Sequence, residues 1–492
     1  MKRVAIYNFC LLLMLTAGCS DFLTFPQESE VPTSSLDYTK KENMFAPVSN
    51  AYASLRKDDA HGFAYIGLCE IVSDDADKGS SPTDGSGMIE LDAYSYGAAN
   101  THINSYWTGL FDIVSAANNA MHTLPNFLPI IKDETGMREY SGLVAESRFL
   151  RAYAYFCLVR TFGGVPLISS LQTAAELNSQ PRAPQDSVYA FIHRDLTAAV
   201  QDLPESYTRE WAGRVTRYAA MALKAKVFLY QRQWDSVAYY TDKVIASGRF
   251  DLHPDFYRMF RIDEENCEES LFELQSTSLG QVDGSRDIGL EYAYVQGPRG
   301  NLPGNMQGWG FKVPSQALIS FLEGREEADR IKATIMVRGT VTPEGDSIIR
   351  TCANPYYNMK AYTPSSYNKW SYNAYGLDQN VRLLRYAEVL LIHAEALASG
   401  ATAAVSMSLD EAMNKVRRRV HLTERNGYTI NDIYDERRAE LAMEENRFFD
   451  LVRTGRAESV LGPKGYTAKN TLFPIPQRQM ELNPSLVQNP GY

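Results

Sequence analysis

The sequence predicts a mainly α-helical protein, a scaffold of about four tetratricopeptide-like helix pairs carrying a loop-rich, partly β region. Three observations lead there. Apolar residues recur at helical spacing through most of the chain, most clearly over residues 216–248. Stretches rich in Gly, Asn and Tyr break the helices at about 58–102, 279–310 and 353–381. Tyrosine is abundant, 30 of 492 residues beside 21 Phe and 5 Trp, and a ring with a wet hydroxyl suits surfaces that stack on sugars or peptides.

The chain opens with Lys2 and Arg3, then a mostly apolar run from Val4 to Ala17. At about 14 residues this run falls short of the roughly 20 that cross a bilayer. Small residues Ala17 and Gly18 then precede Cys19. An ordinary secretory site needs no cysteine there, whereas a bacterial lipoprotein signal does: the thiol takes a diacylglycerol and cleavage leaves Cys19 first. Leu15 stands four residues before the cysteine rather than the usual three. Residues 1–18 therefore read as a lipoprotein signal peptide and 19–38 as a lipidated tether, polar with two prolines. Residues 39–492 read as a single domain. Two or more acyl chains hold a protein stably at a membrane.

Helical patterns over 40–57 and 103–124 form the first candidate pair, separated by about 45 irregular residues. A helix over 140–162 stops at the sequence GGVP, and 186–203 is its partner. In 216–248, Thr216 caps one stripe (Tyr218, Met221, Ala222, Ala225, Leu229). Trp234, Val237, Ala238, Thr241, Val244 and Ile245 make a second, ended by Gly248. Two helices in about 33 residues, with alanines where they approach, follow the physics of a tetratricopeptide-type repeat. Residues 385–398 place Tyr386, Val389, Leu390, His393, Ala394 and Leu397 on one face, with 409–421 as partner. A last helix is expected over 431–454, a strand over 269–277, and a hairpin over 337–351 turning at Pro343–Asp346.

A net charge of −10 argues against nucleic acid and against adhesion to anionic lipid. After Cys19, Cys69, Cys157, Cys267 and Cys352 lie far apart without a CxxC, so no disulfide framework is expected. The 7 histidines show no zinc spacing, and there is neither a GxSxG elbow nor a phosphate-cradling glycine loop. No cofactor is expected. The acidic run SDDADKGSSPTD (73–84) offers oxygen ligands for a structural calcium ion, but lacks EF-hand spacing and a closing bidentate Glu.

The most chemical-looking segment is ERRAELAMEENR. Glu436, Glu440 and Glu444 share one helix face, so they cannot clamp a sugar from two sides as glycosidase carboxylates must. Their neighbours Arg437, Arg438 and Arg447 point to an ion-pair network, and Glu388 and Glu395 read the same way.

Candidate ligand contacts fall in the aromatic loops. A sugar's C–H face packs on a ring while its hydroxyls need amide or carboxyl partners. Tyr94 and Tyr96 beside Asn100 and Asn104 fit that need, as do Tyr292, Tyr294 and Trp309, and Tyr367, Trp370 and Tyr372. Trp107, at a helix start, reads as core.

Four segments then resemble one family. RAYAYFCLVRTFGGVPL (151–167), RYAEVLLIHAEAL (385–397), ERRAELAMEENRFFDLVRTG (436–455) and LFPIPQRQMELNPSLVQNPGY (472–492) are similar to motifs of the SusD/RagB family, and the CSDFL start agrees. The resemblance runs from Cys19 to Tyr492. It implies four tetratricopeptide-like helix pairs under a variable loop region. It also implies a non-enzymatic outer-membrane lipoprotein, facing outward, that caps a TonB-dependent transporter of the SusC type and loads it with oligosaccharide. One branch of the family takes peptides, which is the nearest alternative. A glycan-cleaving enzyme and a plain protein-binding helical scaffold are more distant ones.

Overall fold

Helix α1 (Ala46–Leu55) lies along α2 (Thr101–Thr123), α3 (Glu134–Phe162) along α4 (Gln185–Asp202), α5 (Arg217–Tyr230) along α6 (Trp234–Ile245), and α7 (Tyr386–Ala398) along α8 (Leu409–Arg419). These are the four expected pairs. Successive pairs also touch, α2 on α3, α4 on α5 and α6 on α7, so the helices stack as a solenoid with one continuous core. The computed structural model describes residues 36–276, 290–300, 302, 308–367 and 378–492. Every element lies in the unit Tyr38–Tyr492; Met1–Asp37 form a separate unit. Cys19 lies outside the described residues, and no described helix is long and apolar enough to cross a membrane.

Local chemistry explains the helix starts. Asp133 accepts from the Gly136 amide at 2.6 Å to cap α3, and Thr216 accepts from the Ala219 amide at 3.3 Å to cap α5. Ser408 and Glu411 form a capping box on α8, and Thr429 and Asp432 another on α9 (Ile430–Leu441). Ala219, Ala220, Ala222 and Ala225 are buried, which lets α5 sit close to its neighbours.

Three antiparallel strand pairs flank the solenoid. β1 (Ala76–Gly79) pairs with β3 (Phe311–Pro314), β2 (Ser270–Leu274) with β6 (Val381–Arg385), and β4 (Ile335–Val337) with β5 (Tyr356–Asn358). The expected hairpin turns where Gly345 N donates to Thr342 O at 2.9 Å, with Val341 bridged to Ser347.

Two expectations need correction. The region 58–102 is not irregular: it holds short helices at Asp58–His61, Phe63–Ile66 and Ser86–Asp92, a wide π turn over Gly67–Ile71, and β1. Its residues 64–72 are buried throughout, so an apolar run too short for clear periodicity became core. The last helix is also not continuous to 454. α9 ends at Leu441, Met443 and Glu445 take φ of +66° and +56°, and a new helix runs Arg447–Arg453. The break is held by Lys312, whose buried ammonium donates to Met443 O at 2.9 Å and pairs with Glu445.

The segment after residue 470 is stitched into the first half of the chain. Phe473 N donates to Thr161 O at 2.8 Å, and the Asn489 amide donates to Phe162 O at 3.0 Å. Arg182 donates to Phe162 O at 2.9 Å and to Asn489 Oδ1 at 2.7 Å.

Candidate functional site

Glu436 and Glu440 of α9, and Glu444 in the break after it rather than on the same helix face, are all held by cations. Glu436 lies 2.7 Å from Arg330, Glu440 is 2.9 Å from Arg330 and 2.5 Å from Arg385, and Glu444 is 2.7 Å from Arg385 and 2.6 Å from Lys360. Arg419 closes the cluster on Glu440 and Glu269. Burial opposes ionisation of Glu440, but Arg419, Arg385 and Arg330 outweigh it and hold the carboxyl well below its usual range. Glu388 is gripped by Lys226 and Arg437, and Glu395 by Arg453. These acids fasten the extended segments to the helices.

The acidic run is used the same way. Asp74 is 2.7 Å from Arg447, and Asp75 is 2.7 Å from Arg438. Asp84 pairs with Arg299. Oxygens that a calcium ion would need are thus taken by guanidinium groups, and no cluster of three or more His, Cys, Asp or Glu able to hold a metal occurs among the described residues.

The candidate ligand residues divide. Tyr94 and Tyr96 are buried, 5% and 3% exposed, and their rings serve the core rather than a surface. Tyr94 donates its hydroxyl to Val72 O and packs edge-on against Tyr466 at 5.5 Å. Tyr96 stacks on Phe473 at 5.2 Å and accepts from the Asn470 amide at 3.1 Å. Asn100, also buried, caps α2 by accepting from His102 N at 3.1 Å, and its amide donates to Glu90 at 2.8 Å. Asn104 is half-buried and accepts from Gln479 at 3.0 Å. Tyr292 is buried and donates to Glu445 at 2.7 Å. Tyr367 is half-buried, its hydroxyl on Asp263. Trp370 and Tyr372 lie outside the described residues. Trp107 is core, as expected, with its ring edge-on to Phe162 at 5.0 Å.

Tyr294 and Trp309 come together, with partners the sequence did not reveal. Four partly covered rings form a row. His102 meets Phe63 edge-on at 5.0 Å, Phe63 meets Trp309 at 5.9 Å, and Trp309 meets Tyr294 at 5.7 Å. Phe311 supports the middle of the row, 4.7 Å from Phe63. Each ring comes from a different short element: the N-terminus of α2, the helix Phe63–Ile66, the approach to β3, and the helix Tyr292–Gln296. The Trp309 amide donates to Tyr294 O at 3.2 Å. Gly308 makes this approach feasible, since a Cβ there would stand 2.4 Å from Tyr294 O.

Carboxylates rim the row. Asp58 Oδ1 accepts from Phe63 N at 2.8 Å, which places it at the ring's base. Glu291 hydrogen-bonds to Asp58, and burial together with the Asp58 charge pushes its carboxyl up to about 7. Asp59 and Glu90 both act on His102, whose pKa burial nonetheless lowers. Phe63 and Asp58 sit in DDAHGF, where the motif-sized signal is an aromatic after a glycine at a helix start, too common to single out.

Two family models match the chain. Residues 67–229 match one described as starch-binding associating with outer membrane, and residues 340–492 match the SusD family. A SusD-like protein P2 of Formosa agariphila is 28% identical, with 100% of both chains covered. A SusD-like protein of Bacteroides ovatus is 26% identical over 72% of this chain and 66% of its own length. Among solved structures, a laminarin binding SusD-like protein superposes with a TM-score of 0.79 at 28% identity, covering 92% of this chain and 99% of its own. Surface glycan-binding protein A from Bacteroides fluxus gives a TM-score of 0.79 at 25% identity, covering 92% and 100%. The four helix pairs, the arginine-locked α9 motif and these matches at both ends of the described unit agree: the chain belongs to the SusD/RagB family.

Proposed function

We propose that this protein is a glycan-binding lipoprotein of the outer membrane that captures oligosaccharide and passes it to a TonB-dependent transporter of the SusC type. The observation that carries the reading is the row His102–Phe63–Trp309–Tyr294, four partly covered rings in contact. Neighbouring rings in the row stand nearly perpendicular, so it offers alternating faces and edges to the C–H sides of sugar units, and Asp58, Glu90 and Glu291 offer oxygens for their hydroxyls. The structural relative at 28% identity that is named for laminarin binding supports it, as does the family description that mentions the outer membrane. Cys19 would carry the lipid and the polar residues after it would serve as tether.

Binding without cleavage is part of the proposal. Asp58 and Glu291 touch through a hydrogen bond, whereas a glycosidase holds its two carboxyls about 5 Å or more apart across the scissile bond.

Affinity gel electrophoresis of the purified chain against laminarin, starch, mannan and xylan tests the site. Retardation by at least one of them is expected, weakened about tenfold by Trp309→Ala or Phe63→Ala, the loss of roughly 1–2 kcal/mol of stacking. Retention of full binding in both variants would dismiss the ring row as the site.

A further inference from the structure

We propose a second saccharide site, in a cleft between the α4–α5 connection and the approach to β2, built on the rings of Trp211, Tyr207 and Phe250. It rests on reading the chain as a glycan binder, but not on the ring row. The cleft measures about 290 Å³ and is lined from residues 205–216, from Arg249 and Phe250 after α6, and from residues 266–273. That is the small end of ligand clefts.

Trp211 is 41% exposed, the most exposed tryptophan among the described residues. Its ring is nevertheless held in place. It meets Phe45 edge-on at 5.2 Å and stands 5.2 Å from the Arg214 guanidinium, which also lies 4.4 Å from the Tyr207 ring. Arg214 is fixed in turn by the buried Glu146, which accepts from its Nε at 3.1 Å and from the Tyr207 hydroxyl at 3.1 Å. Gly213, at φ +90°, packs its backbone on Gln275, where a Cβ would stand 2.4 Å from that side chain. Rings set in advance spare a ligand the entropy of ordering them.

The walls decide the class of ligand. Their apolar surface is aromatic, and Leu271, the one large aliphatic residue among the described lining, is buried. An acyl chain or an aliphatic anchor of a protein finds little to grip there, whereas the C–H face of a sugar packs on rings. The polar groups are of both kinds. Glu205 pairs with Arg249, Asn266 and Gln275 exchange amide hydrogen bonds at 3.0 Å each way, and Glu268 is exposed. A hydroxyl both donates and accepts, so a sugar uses such a mixture, while an anion meets carboxylates beside the arginines.

The two sites stand at opposite ends of α2. His102 opens that helix in the ring row, and Ala120 near its far end packs in the cluster that Phe45 covers, with Trp211 on Phe45. The 23 residues of α2 span about 33 Å. A short oligosaccharide therefore occupies one site at a time, and a polymer that reaches both gains avidity.

Isothermal titration of the intact chain in detergent, with hexasaccharides of laminarin, starch, mannan and xylan, counts the sites. Two per chain are expected for at least one sugar, one in Trp211→Ala, one in Trp309→Ala and none in the double variant. On affinity gels Trp211→Ala should weaken retardation by the matching polymer about fivefold. Because Trp211 touches Phe45 and Arg214, Ser206→Arg gives a second route: it fills the cleft from an exposed position and should likewise remove one site. An unchanged count in both Trp211→Ala and Ser206→Arg would overturn the second cleft and leave the ring row standing. Loss of all binding in Trp309→Ala alone would overturn it too. Binding of no hexasaccharide and no polymer would remove the glycan reading and this inference with it.

Discussion

Tyr96 shows how one side chain can have two plausible occupations. Its ring lies flat on Phe473 and near Tyr492, and its hydroxyl accepts a hydrogen bond from the Asn470 amide. Truncating so enclosed a ring leaves a cavity, so Tyr96→Ala should cost about 3–5 kcal/mol, read as a lowered urea midpoint, with glycan affinity retained in the fraction that stays folded. Trp309→Ala should do the reverse, weakening binding with little loss of stability. The sequence around Tyr96 suggested a surface because the stretch is polar and rich in Asn. What buries it stands 374 positions away, and no local pattern carries that information. Trp309 and Tyr294 were legible as aromatics in a loop, but Phe63 and His102 were not, because the row assembles from four elements distant in sequence.

At the scale of elements, periodicity and capping residues were enough to place all four helix pairs, since the paired helices pack against neighbours close in sequence, even though α7 and the second half of α3 are buried all round. Breaks in an element were harder to see. Nothing in LAMEEN announces the left-handed residues that end α9, because the cause is Lys312 reaching in from β3. The same helix carries the buried ion network. Removing one member leaves charges without partners, so Arg330→Ala should cost about 3–5 kcal/mol, measured by chemical denaturation at pH 7. The pH dependence has a definite sign. Glu436, Glu440 and Glu444 ionise in the fold more readily than the ordinary value of 4.5. The unfolded chain therefore binds more protons in acid, and the stabilisation is complete above about pH 5 and is lost as pH falls through 4.5 and below. Urea midpoints that stay constant between pH 6 and pH 3 would contradict this.

For the whole molecule, the division at Asp37 separates a body from what precedes it. If Cys19 is the anchor, Cys19→Ala should move the protein from the detergent phase to the aqueous phase in Triton X-114 partitioning while its thermal unfolding, set by Tyr38–Tyr492, stays within a few degrees. Persistence in the detergent phase would mean that something other than a lipid on Cys19 holds it.

The bond from Asn489 to Phe162 closes a loop of 327 positions. At about 5–20 residues per second, a ribosome needs roughly 15–65 s to make the second partner after the first. Throughout that interval Arg182 alone can hold the Phe162 carbonyl at the end of α3, and the strap that Phe473 and Asn489 lay over it is still to come.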